Sequence, residues 1–87
     1  MSGGYFNYNQ HFINYIAGEI EEEIRNNKIK PKWSQKYTND TIKEFKKAIK
    51  VLRKAYVYAH RIDWLLSGDD GEETFHERLK EDLEKLK

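Results

Sequence analysis

The chain has no cysteine and a single proline among its 87 residues. The first absence excludes disulfides and thiolate metal sites, and suits a reducing cytoplasm. No apolar run approaches the roughly 20 residues that cross a bilayer as a helix. The opening Met1-Ser2-Gly3-Gly4-Tyr5 lacks the basic-then-apolar order of a secretory signal, so a soluble cytoplasmic protein is expected. The motifs of common catalysis are also missing. There is no Gly-x-Ser-x-Gly elbow, no phosphate loop and no dinucleotide fingerprint. His11, His60 and His76 form no i, i+4 metal pair, so neither catalytic residues nor a metal or cofactor are expected.

At this length there is room for one domain, residues 1–87, with a modest core. Such chains bury only about 60–65% of their unfolded surface, and help from a homo-oligomer is expected. The formal net charge of +1 conceals three blocks. Residues 1–24 hold four acids and no base, residues 25–54 eleven bases and two acids, and residues 55–87 five bases and nine acids. A basic middle between acidic ends can bind an anionic partner or be satisfied by its own neighbours.

Apolar periodicity predicts an all-α domain of three helices. The first is expected over residues 8–26, with Ile13, Ile16, Ala17, Ile20 and Ile24 on one stripe and Asn7 with Gln10 as its capping box. Residues 26–37, with Pro31, read as a loop anchored by Trp33. The second helix is expected over residues 40–67, opened by a Thr41–Glu44 capping box and closed by Gly68. It carries two stripes: Ile42, Phe45, Ile49, Leu52, Tyr56 and Ala59, and then Ala48, Val51, Ala55, Tyr58, Ile62 and Leu65. Two stripes require two partners, naturally the first helix as an antiparallel hairpin and a third helix, although a second subunit could cover one. The third helix is expected from Asp69 or Asp70, capped by Asp70 with Glu73, with Phe75, Leu79, Leu83 and Leu86 as its stripe.

Two acidic patterns invite a metal. Glu19-x-x-Glu22 with Glu23 needs a facing acidic pair, and His60-x-x-Asp63 is the candidate. An antiparallel hairpin separates the two by roughly 25 Å at 1.5 Å per residue, so a solvated helix face explains the glutamates. The run from Ser67 to Glu73 lacks calcium-loop spacing, and helix capping explains its acids. Lys43, Lys46, Lys47, Lys50, Arg53 and Lys54 lie opposite the apolar stripes and offer a row for non-specific contact with nucleic acid.

The aromatic residues say most. Tyr5, Phe6, Tyr8, Phe12 and Tyr15 crowd the beginning, and Tyr56, Tyr58 and Trp64 the end of the second helix. A hairpin brings the two groups together. Gly3, Gly4, Tyr5, Phe6, Asn7, Tyr8, His60, Arg61 and Trp64 are therefore the candidate site for a flat, anionic, nucleotide-like ligand. Aromatic faces would stack on a base, while Asn7, Arg61 and the Gly3–Gly4 backbone would hold polar groups. A purely structural aromatic cluster is the competing explanation.

Residues 1–10, Met-Ser-Gly-Gly-Tyr-Phe-Asn-Tyr-Asn-Gln, and 61–79, beginning Arg-Ile-Asp-Trp-Leu-Leu-Ser-Gly-Asp-Asp-Gly-Glu-Glu, resemble a family of small phage and prophage proteins. The match covers about a third of the chain directly. The resemblance implies a setting in the host cytoplasm and a non-enzymatic role, such as sequestering a nucleotide signal or blocking a host defence protein by docking on it. It implies no catalytic residue.

Overall fold

The second helix carries the architecture because it is the longest and the only one with two apolar sides. In a computed structural model of the protein, which describes residues 4–31 and 36–86, the helices are α1 Gln10–Ile29, α2 Asn39–Leu66 and α3 Glu72–Lys85. No strand occurs among the described residues. The expected all-α, three-helix fold is the fold observed. Trp33, expected as a loop anchor, lies outside the described residues.

Each boundary has a local cause. Asn7 and Tyr8 adopt positive φ of 57° and 62°, so Asn7 cannot cap a helix and α1 begins at Gln10. Its N-cap, Asn9, makes no side-chain cap, which corrects the expected Asn7–Gln10 box. Beyond residue 26 the helix continues to Ile29. The Asn27 carboxamide then receives the returning chain, accepting the Tyr37 N–H at 2.8 Å. In α2 the cap is Thr38, whose Oγ1 accepts the Thr41 N–H, so the Thr41–Glu44 pair falls inside the helix rather than opening it. The C-terminal end matches expectation. Gly68 takes φ 82°, its N–H reaches the Leu65 carbonyl, and the Asp69 N–H reaches that of Trp64, a Schellman closure. Asp70 does not cap α3; Gly71 holds that position without a side-chain bond.

The helices form a single layer. α1 runs antiparallel to α2, α3 returns along α2, and α1 and α3 make no contact with each other among the described residues. The molecule measures 55 × 25 × 14 Å. Its radius of gyration is 16.7 Å, against about 12 Å for a compact chain of this length. One layer cannot enclose a deep core. Only Ala17 and Ile24 are buried apolar residues among those described. The first α2 stripe is half-buried and faces α1, as Tyr56 against His11 shows. The second stripe is only partly used. α3 is met through Arg61, Trp64 and Tyr58, and Val51 stays 65% exposed.

Candidate functional site

Continuing the first α2 stripe by its own step of three and four residues leads from Tyr56 and Ala59 to Asp63. A carboxylate on an apolar stripe must find partners. Asp63 is completely buried, and its partners come from the start of the chain. Oδ2 accepts the Gly4 N–H and Oδ1 the Phe6 N–H, both at 2.9 Å. The Tyr5 N–H donates to Ser67 Oγ at 3.2 Å, and the Gln10 side chain also bonds to Asp63. Burial pushes the Asp63 carboxyl up, but the N–H groups of Phe6, Gly4 and Tyr5 and the Gln10 side chain outweigh it and hold it below the ordinary carboxylate value. The beginning of the chain is thus clamped onto α2. The loop needs glycine at Gly4, where φ is 98°, and carries strain of about 1–3 kcal/mol at Tyr8, a bulky residue in the left-handed region.

The clamp completes a ladder of rings. Tyr8 stacks on His11 with centroids 6.3 Å apart, and His11 meets Tyr56 at 5.7 Å. Tyr56 stacks on His60 at 5.6 Å, and His60 meets Trp64 at 5.9 Å. The Arg61 and Arg78 guanidinium groups lie 5.5 and 5.9 Å from the Trp64 ring. Inside the ladder the His60 Nδ1 is buried without a hydrogen-bond partner. Burial, then the Arg61 charge and His11, hold the imidazole below its ordinary value, against weaker opposition from Asp63 and Asp82. At the outer end Tyr8 remains 48% exposed. It lines a shallow hollow of about 550 Å³ with Asn7, His11, Phe12 and Tyr15.

The structure brings Gly4, Tyr5, Phe6, Asn7, Tyr8, His60, Arg61 and Trp64 to one end of the molecule; Gly3 lies outside the described residues. Several of these groups are already engaged. The Gly4 N–H belongs to Asp63. Arg61 donates to Asp82 at 2.7 Å, with Asp70 also beside it, and Asp70 accepts from Arg78 at 3.2 Å. Arg61 therefore fastens α3, and the Trp64 ring is already engaged by two guanidinium groups and His60. Tyr5, Asn7 and Tyr8 are exposed, and His11, which sequence reasoning passed over, joins them. Asp63, which the sequence offered only as a metal partner with His60, was missed as a clamp, although the stripe arithmetic marks it.

The basic row of α2 is not uniformly outward. Arg53 pairs with Glu21 of α1 and Lys47 with Glu44. Lys50, Arg53 and Lys54 edge a groove of about 790 Å³ between α2 and α3, with Lys80 on the opposite rim. Its floor is Tyr58, Leu79, Leu83 and Leu86. Among the described residues no three histidine or carboxylate side chains gather to hold a metal, and no helix is long and apolar enough to cross a membrane. No protein family, no curated protein and no solved structure matches the chain.

Proposed function

We propose that the chain is a non-enzymatic, phage-type accessory protein that sequesters a nucleotide-like ligand through its base. The observation that carries this reading is the ring ladder ending in an open Tyr8, held in place by a loop clamped to a buried carboxylate. A flat ring laid on Tyr8 extends the ladder, and stacking of this kind contributes about 1–3 kcal/mol. Asn7 and His11, in the same hollow, offer hydrogen bonds to the edge of a base. Residues 4–24 contain no lysine or arginine, so the base rather than a phosphate supplies the recognition.

Calorimetric titration with a cyclic dinucleotide, ADP-ribose and adenosine tests this. Binding is expected for at least one nucleotide, weakened at least tenfold by Tyr8→Ala, about 1.4 kcal/mol, and retained by Tyr8→Phe. Arg61→Ala leaves the affinity unchanged wherever the fold is retained. Silence across the panel, together with one stoichiometric protein captured from host lysate and lost with Tyr8→Ala, replaces this reading with docking on a host protein.

A further inference from the structure

The outer face of α1 and the groove between α2 and α3 are complementary halves of one contact. On α1, Phe12 and Tyr15 are each 64% exposed, and Ile16 lies beside them. One and two turns further on, the same side carries Glu19 and Glu23. The groove has the opposite character. Its floor is apolar, and its rims hold Lys50, Arg53, Lys54 and Lys80 against the single acid Glu84. Beyond the end of α3, the exposed Lys46 continues the basic row, and neither it nor Lys50 forms an ion pair among the described residues.

The order of residues also matches. Along α1 the aromatic part precedes the acidic part, whereas along α2 the basic part precedes Tyr58. Laid antiparallel, Phe12 over Tyr58 places Glu19 opposite Lys50 and Glu23 opposite Lys46. The steps from aromatic to first charge are about 10 Å on α1 and about 12 Å on α2. The two faces are too far around the layer to meet within one chain, since α1 and α3 do not touch among the described residues.

The area points to the same occupant. The accessible surface is 6719 Å², about 1,300 Å² above the roughly 5,400 Å² of a compact monomer of this size. An excess of that order exceeds the ~800 Å² that each partner buries in a standard interface. We infer that the groove of one copy receives the outer face of α1 from a second copy, joining molecules head to tail. Two different patches meet, so each copy offers one of each kind. The contact takes up Phe12 and Tyr15, which line one side of the Tyr8 hollow, and leaves Asn7, Tyr8 and His11 for the ligand.

Sedimentation velocity on the full chain tests this with two pairs of charge reversals. Wild type assembles beyond a single chain across a concentration series. Glu19→Lys with Glu23→Lys, and separately Lys46→Glu with Lys50→Glu, each sediment as single chains with wild-type helix content by circular dichroism. Mixed in equal amounts, the two variants reassemble to the wild-type size, because the intact groove of one takes the intact α1 face of the other and the two reversed faces complement each other. All four substitutions in one chain restore the wild-type size. A wild type that stays a single chain at every concentration overturns the inference. So does a pair of reversals that leaves the assembly unchanged, or a failure of the four-fold variant to reassemble.

Discussion

Asp63 accepts the backbone N–H of Phe6 at 2.9 Å across 57 residues of chain. With the Gly4 bond on the other oxygen, one buried side chain fixes residues 4–6 against α2. Replacing it with Asn keeps the shape but turns a donor toward backbone N–H groups that need acceptors. Hydrogen bonds to a charged acceptor contribute about 1.5–3 kcal/mol each. Asp63→Asn is therefore expected to destabilise the fold by about 2–4 kcal/mol, read from the midpoint of urea denaturation. Because folding lowers this carboxyl, its contribution is complete above the unfolded value of about 3.9 and is lost as the pH falls through the lower folded value.

His60 has the opposite chemistry and the same sign. Burial, Arg61 and His11 lower its folded pKa, so the unfolded chain binds a proton more readily. Stability from this residue is fully present above about 6.5 and declines as the pH falls below it. In His60→Phe, which keeps a ring against Tyr56, the fall in thermal midpoint between about pH 7 and pH 5 should be shallower than in wild type. Equal slopes in the two proteins would show that His60 is not the titrating group.

Arg61 and Asp82 are the main polar tie between α2 and α3, at 2.7 Å and largely shielded from water. A double-mutant cycle with Arg61→Met and Asp82→Leu should return a coupling of about 1–3 kcal/mol. A value near zero would mean that α3 is held by Trp64 and the leucines alone.

Gly68 occupies φ 82° with open space where a Cβ would project. Gly68→Ala should cost about 1 kcal/mol from backbone conformation alone. Gly68→Asn should cost less, because asparagine tolerates the left-handed region. Thermal denaturation of the two variants ranks them.

The fold was legible because α2 announces itself twice, through two apolar stripes and through Gly68 at its end. The hairpin followed, and with it the meeting of the chain's beginning with residues near Trp64. Polar roles were less legible. Arg61 looks like a free cation in sequence, yet its partners Asp70 and Asp82 lie beyond a turn whose path periodicity does not specify. Asn7 resembles a helix cap until two successive positive φ values displace the helix start to Gln10. The Asp63 clamp was within reach, since only a satisfied carboxylate can sit where the stripe places residue 63. The α2–α3 groove was not, because it depends on how closely α3 approaches the basic side of α2.

Amide exchange at Gly4 and Phe6, measured by NMR in wild type and in Asp63→Asn, tests the clamp most directly. Both amides should exchange on the order of tenfold or more slowly than in an unstructured peptide, and lose that protection together in the variant. Free exchange of either amide in wild type near neutral pH would contradict the account, because the open end of the ring ladder would then have no fixed support.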